Sequence, residues 1–254
     1  MIIGNKTITV SIVSHSQGEL VKALLDDLEF YCSHSIDVII THNVKELITY
    51  SHDSYSFPIR VIQNESPKGF GANHNQAFSF CNTSYFCVVN PDIRVESNPF
   101  ECLIPEIEKY SAALIAPKVL NPYGDIEDSV RKFPTLFSIF LKLVSSKTLS
   151  DYPKGEFILN PNWVGGMFML FNSQKFKSVS GFDERFFLYY EDVDLCRSLH
   201  AFGYSIIYSP CTFVIHSARR SSHTNVRYLI WHIKSMLHFF LKWTSVRLFR
   251  EDLK

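Results

Sequence analysis

The chain has 254 residues, 46% of them hydrophobic, with 25 basic and 25 acidic side chains. That length suits one large domain, or one domain with a C-terminal appendage. A formal net charge of zero excludes a general nucleic-acid binder, which needs a basic surface.

Other bounds follow from composition. Aromatic content of 15%, with 22 Phe, suits a dense core, a sugar-stacking surface or a membrane-facing patch. Cys32, Cys81, Cys87, Cys102, Cys196 and Cys211 show no CxxC pair and no zinc spacing. Several lie in apolar runs, so most are expected to be buried, reduced thiols of a cytosolic protein. The opening MIIGNKTITV is too short and polar for a signal peptide. No apolar run reaches the ~18–20 residues of a membrane span. No internal repeat is visible.

Residues 7–14 (TITVSIVS) are rich in β-branched side chains and predict a buried strand. A turn at 14–18 leads into a helix marked by Leu20, Leu24 and Leu28. Residues 36–41 form a second strand, followed by a short helical run near 44–50. A third strand at 59–63 precedes the glycine turn Gly69-Phe70-Gly71 and a helix through Phe80. A fourth, at 85–89, ends at Asn90-Pro91-Asp92. Strands alternating with helices predict a parallel sheet covered on both faces. Ligands of such sheets bind beyond the carboxyl ends of the strands. Ser14, His15, Asn43, Gly69, Gly71, Asn75, Asn90 and Asp92 therefore fall on one edge. The glycine turn fits either phosphate cradling or plain turn chemistry. Asp92 fits a cap, or a carboxylate holding a divalent cation beside a diphosphate.

Further on, the pattern predicts a helix at 99–110, a strand at 112–116, a polar loop at 121–133, a helix at 136–144 and a mobile, loop-rich connection at 145–161. WVGGMFMLF (163–171) reads as a strand whose Gly165 and Gly166 allow close backbone approach. The densest stretch is GFDERFFLYYEDVDLCR (181–197). Glu191, Asp192 and Asp194 fall at a helix start; Leu195, Leu199 and Phe202 form a buried stripe, and Gly203 closes the helix. Acids there either complement the helix dipole or offer a general base. Two strands follow, at 204–208 and 212–216, the second ending at His216. From 226 to 250, Leu229, Ile230, Ile233, Met236, Leu237, Phe240 and Leu241 make an apolar face flanked by Trp231, Lys234, Lys242, Trp243, Arg247 and Arg250. It predicts packing on the main domain or contact with an anionic lipid surface; a homodimer is a further use.

The ordered motifs SIVSHSQGE, GFGANHN, VVNPDIRV, SVRKFPT, WVGGMFML, GFDERFFLYYEDVDLCRSLHAFGY and WHIKS resemble the family 2 glycosyltransferases, over nearly the whole chain. Within them, the resemblance is to bacterial rhamnosyltransferases of O-antigen assembly. It implies the α/β GT-A fold: a mostly parallel, Rossmann-like sheet with helices on both faces, plus a C-terminal amphipathic helix. It divides the chain into a catalytic domain at 1–225, with a nucleotide-sugar half at 1–98 and an acceptor half at 99–225, and a helical segment at 226–254. It implies a dTDP-β-L-rhamnose donor, a lipid-diphosphate-linked sugar as acceptor, inversion, and a cytoplasmic protein peripheral to the inner membrane. By resemblance, Asp192 is the base and Glu191 its neighbour. Asp92 and His216 hold Mg²⁺ or Mn²⁺, with Asn90 in place of the usual first acid. Ser14, His15, Asn43, Gly69, Gly71, Asn75 and Arg131 face the donor; Trp163, Gly165, Gly166, Asp183 and Tyr190 face the transferred sugar and acceptor. His42 stands where the family carries an Asp that contacts the nucleotide. A nucleotidyltransferase and a catalytically weak sugar-nucleotide-binding scaffold are the competing readings.

Overall fold

The computed structural model describes residues 7–139, 150–153, 155, 157–217 and 226–251, with side chains of the last helix described as far as 245. The first strands are β1 (Ile8–Ser14), β2 (Ile36–His42), β3 (Ile59–Gln63) and β4 (Tyr85–Val89). All their mutual pairings are parallel, in the order β3-β2-β1-β4. β1, β2 and β4 are almost wholly buried, which is why they read as unbroken apolar runs instead of alternating. Helix α1 (Gly18–Cys32) buries Val21, Leu24, Leu25 and Leu28 on one face of the sheet. Helix α2 (Phe70–Phe78) covers the other.

Residues 44–50 are irregular, not helical. Glu46 is drawn inward instead: its carboxylate accepts from the Gln17 amide at 2.8 Å and meets His42 Nδ1 at 2.7 Å.

The second half contributes β5 (Ile93–Arg94), α3 (Phe100–Lys109), β6 (Leu114–Leu120), β7 (Val130–Arg131), β8 (Trp163–Val164), β9 (Phe168–Asn172), α4 (Ser173–Ser178), α5 (Glu191–Ala201), β10 (Ile206–His216) and α6 (Val226–Glu251). The main sheet has eight strands ordered β3-β2-β1-β4-β9-β6-β10-β5. β9 runs antiparallel between β4 and β6, and β5 antiparallel to β10. Helices lie on both faces, α1 and α3 on one and α2, α4 and α5 on the other.

Several sequence readings change. WVGGMFMLF is two strands: β8 pairs with β7 in a separate ribbon, and only β9 joins the main sheet. The polar loop at 121–133 thus contains β7. The strands read at 204–208 and 212–216 are one strand with an irregularity between Ser209 and Phe213. Phe202 caps α5 with 59% of its surface exposed, while Leu195 and Leu199 are buried. Gly203 ends that helix at φ +82, and the Tyr204 amide reaches back to the Leu199 carbonyl. Residues 136–139 are helical; the rest of that predicted helix, and residues 145–149, 154 and 156 of the connection after it, lie outside the described residues. Cys102 on α3 and Cys211 on β10 form a disulfide, an exception to the reduced majority expected. They lie 109 positions apart, so nothing local announces the pairing. Cys32, Cys87 and Cys196 are buried and free, as expected.

Of the two uses expected of the C-terminal helix, packing through its apolar stripe is not what the structure shows. Its aromatic and polar face packs inward: Phe239 is wholly buried, Ser235 nearly so, and Trp243 is half-buried. The aliphatic stripe faces out, with Leu229 60%, Leu237 54% and Leu241 69% exposed. The physical reason is a polar anchor. Lys242 Nζ lies 2.9 Å from Asp183 and 2.6 Å from Asp194, and Trp243 Nε1 donates to Asp194 at 2.7 Å. A carboxylate as buried as Asp194 must be paired, and this overrides the apolar stripe.

Candidate active site

The parallel order puts the ends of β1, β2 and β4 on one edge. β9 starts where β4 ends: Phe168 pairs with Val89, and the Asn90 amide donates to the Met167 carbonyl at 2.9 Å. That brings Gly166 beside Asn90-Pro91-Asp92. β10 ends at His216 opposite Ile93, so His216 reaches the same corner. Motifs spread across the chain therefore meet at the edge that the alternation predicted.

Asp192 sits in the first turn of α5 and keeps partial access to solvent. Its Oδ2 accepts from the Gly166 amide at 3.1 Å and its Oδ1 from the Val193 amide at 2.8 Å. Burial pushes its pKa up; those amides and the Arg131 charge pull the other way, and burial prevails. Glu191 is more deeply buried, and its Oε2 has no hydrogen-bond partner among the described residues. Burial, then the Asp192 charge, holds Glu191 well above the usual carboxylate range. Of the two carboxyls, Glu191 is thus the harder to ionise.

The backbone entering this helix is strained. Tyr189 and Tyr190 both adopt left-handed φ, +69 and +66. Each costs of order 1–3 kcal/mol for a non-glycine residue, so the surroundings must impose it. Tyr190 packs against His232 and Phe239 of α6.

A second cluster joins Asp92, His216 and Glu127. His216 Nε2 lies 3.5 Å from Asp92 Oδ1, and its Nδ1 lies 2.9 Å from Glu127 Oε2. Burial pulls the imidazole pKa down, but the two carboxylates outweigh it and raise it. Asp92 Oδ1 is buried and makes no hydrogen bond among the described residues. A carboxylate oxygen left without a donor, beside an imidazole nitrogen, is a donor set that suits a divalent cation. Glu127 was not singled out from sequence; it lies in a polar loop without a local signal.

Other residues expected on the donor side also brace the edge. Asn43 holds the Lys68 backbone at both ends, Oδ1 accepting from its amide at 2.7 Å and Nδ2 donating to its carbonyl at 2.9 Å. Asn64 donates to both Asn43 and Asn73, completing a buried amide chain that sequence reasoning missed. Asn75 brackets the Phe182 backbone in the same way. Gly69 lets the backbone of Phe186 and Phe187 approach, and Gly71 does so for the Phe182 side chain. The two glycines thus join α2 to the turn before Asp192, and close approach requires them there. A Cβ at Gly71 would lie 2.5 Å from Phe182 Cβ. Gly71→Ala is expected to lower unfolding stability by about 1–3 kcal/mol in urea titrations, even after alanine's helix advantage of about 1 kcal/mol.

Ser14 and His15 end β1, with His15 exposed and its Nδ1 3.5 Å from Asn43 Nδ2. His42 engages both ring nitrogens inside the protein, with Glu46 and with the Tyr50 hydroxyl at 3.0 Å. Arg131 pairs with Asp128 at 2.9 Å and lies over the Trp163 ring, and its field still reaches Asp192. Gly165 donates to the Ser129 carbonyl, tying β8 to β7. Asp183 is engaged within the protein. Arg185 and Lys242 saturate it and, against burial, hold its carboxyl well below the usual range.

An eight-stranded, mostly parallel sheet with helices on both faces, an acid after β4 and a carboxylate pair at the start of α5 are the features of a GT-A fold. The chain belongs to glycosyl transferase family 2, whose model matches residues 39–172. It is a glycosyltransferase. It is 27% identical over 247 residues to rhamnosyltransferase WbbL of Escherichia coli K12, covering 91% of each chain. To N-acetylglucosaminyl-diphospho-decaprenol L-rhamnosyltransferase of Mycobacterium tuberculosis it is 23% identical, over 84% of this chain and 76% of that one. Among solved structures it is similar to GalNAc-T7 with UDP, GalNAc and Mn²⁺, at TM-score 0.66 and 13% identity over 92% of this chain. It spans about half, 47%, of that protein's length. The mannosyltransferase PcManGT of Pyrobaculum calidifontis, in complex with GDP-Man and Mn²⁺, aligns at TM-score 0.61 and 12% identity, over 94% of this chain and 64% of that one. Likeness at such identities speaks for the fold.

Proposed function

We propose that this chain transfers L-rhamnose, with inversion, from dTDP-β-L-rhamnose to a sugar carried on a lipid diphosphate, of the GlcNAc-diphosphate-polyprenol type, in cell-surface polysaccharide synthesis. The observation that carries the transfer chemistry is Asp192, held by two backbone amides beside the buried Glu191 and partly open to solvent. Similarity to two rhamnosyltransferases, one named for a diphospho-decaprenol acceptor, supports the sugar and the acceptor class.

In the reaction the acceptor oxygen bonds to the sugar C1 as the bond from C1 to the diphosphate oxygen breaks. Asp192 takes the acceptor's proton on its carboxylate. The Gly166 and Val193 amides fix the direction in which that carboxylate points. Arg131 adds positive charge on the same side. Asp92 and His216, with Glu127 orienting the imidazole, are the residues that would hold Mg²⁺ or Mn²⁺. When bound, such a cation neutralises charge developing on the leaving diphosphate.

Among the described residues no helix is long and apolar enough to cross a membrane. The exposed Leu229, Ile233, Leu237 and Leu241 support peripheral attachment to the inner membrane at its cytoplasmic surface, where a polyprenol-linked acceptor is presented.

The deciding experiment is transfer by purified protein from dTDP-L-rhamnose to a synthetic GlcNAc-diphosphate-lipid in liposomes, with Mg²⁺, with Mn²⁺ and with EDTA. Product and free dTDP are expected with either metal, and a loss of at least about 100-fold with EDTA. Turnover only with another nucleotide sugar would discard rhamnose and keep the class. Undiminished turnover in EDTA would discard the metal.

A further inference from the structure

The left-handed pair Tyr189–Tyr190 has no glycine to make its conformation easy. It also sets the direction of Asp192, because α5 begins one residue later. What holds it is therefore part of how the base is aimed. Helix α2 holds the near side: the Phe70 amide donates to the Phe187 carbonyl at 2.9 Å, and Asn75 brackets Phe182. The far side is held by α6. Ser235 Oγ donates to the Leu188 carbonyl at 2.8 Å. The Trp231 ring lies 4.7 Å from that of Phe187. The His232 ring packs on both tyrosines, at 5.3 Å and 5.4 Å between centroids. Phe239 packs on Tyr190, and Lys242 closes the arrangement on Asp183 and Asp194. These residues recur at the spacing of one helical face, and together they follow the turn from Phe187 to Asp194.

We propose that α6 is a positioning element of the active site: Ser235 and His232 hold the Tyr189–Tyr190 turn in the left-handed form that sets Asp192 against the Gly166 amide. This rests on Asp192 being the base. Neither residue touches the reacting atoms. Each acts through the turn, where a displacement of about 1 Å in the base is enough to cost up to ~100-fold in rate.

The test uses the full chain with Ser235→Ala, His232→Ala and the conservative Ser235→Thr. Three quantities are read: amide hydrogen exchange across 186–194, kcat, and dTDP affinity by calorimetry. In both alanine variants exchange in this segment is expected to speed up at least fivefold while β1–β4 stay as in the parent. Their kcat is expected to fall about 5–20-fold, with dTDP affinity within twofold, and Ser235→Thr is expected to recover most of the rate. Exchange unchanged in both alanine variants would overturn the proposal. So would kcat within twofold of the parent, or a proportional fall in kcat and dTDP affinity, which marks general loosening. If the parent itself turns over no dTDP-rhamnose, the donor reading fails, and the exchange data alone decide whether α6 holds the turn.

Discussion

Asp192→Asn will reduce transfer by about 10³-fold or more while leaving the affinity for dTDP within twofold. General-base assistance contributes roughly 10²–10⁴-fold, and the asparagine keeps the size and most of the packing. Its amide cannot take a proton, so the loss should fall on kcat. Glu191→Gln is the matched control. Burial and its neighbour's charge raise the pKa of Glu191, and glutamine copies the protonated form. That variant should stay within about tenfold of the parent. The sign of the pH dependence follows from the same pair. A base works deprotonated, and burial raises the pKa of Asp192. The rate should therefore fall with acidification at a pH above the ordinary carboxylate range, and the inflection belongs to the Glu191–Asp192 pair as a unit. Steady-state kinetics with direct dTDP titration checks all of this. Equal losses in both variants would remove the distinction between base and neighbour.

The largest effect on stability is expected at Lys242. Lys242→Met keeps the apolar stem and removes the charge between Asp183 and Asp194. Breaking one partner out of a buried ion cluster costs about 3–5 kcal/mol. The lower end is expected here, because Arg185 remains on Asp183 and Trp243 on Asp194. Without the ammonium both carboxyls titrate higher in the folded variant than in the parent, Asp183 from a lowered pKa and Asp194 from one that burial already raises. The variant thus loses stability where the carboxyls are ionised, and the loss disappears as they protonate. The gap between variant and parent should thus be widest at pH 7 and narrow below about pH 5. Urea titrations at both pH values, with Lys242→Met/Asp194→Asn as partial rescue, measure it. A gap independent of pH would mean that packing alone is lost.

The parts legible in the sequence are those with short-range causes. β1, β3 and β4 follow from runs of β-branched residues, and Gly203 marks the end of α5 as expected. The edge that gathers Asn90, Asp92, Gly166 and Asp192 follows from strand alternation plus the motif order. Features set by distant partners were hidden. Glu127 becomes relevant only because β10 brings His216 to it across 89 positions. The run at 44–50 has helical composition, but Glu46 is captured by His42 and Gln17. The face of α6 that packs was misread because a hydrophobic stripe outweighs one lysine in any local count. In the fold, Lys242 meets two buried carboxylates. Gly69, Gly71 and Asn75 were correctly singled out as special, but what they approach is protein backbone and Phe182, over 100 positions away.

The reversed strand β9 also governs the order in which the chain can complete itself. During synthesis β1 to β4 can pair as they emerge, but the outer edge of β4 stays open until Phe168–Asn172 has been made. Until then the nascent chain presents an apolar strand edge, a template for unwanted pairing. The first four strands are therefore expected to mature only when Phe168–Asn172 arrives, and a fragment stopped at residue 98 would carry that exposed edge into solution. Cutting or permuting the chain between these halves separates pairs that one sheet shares, whereas new termini on the exposed loop at 121–125 leave every strand of the main sheet intact.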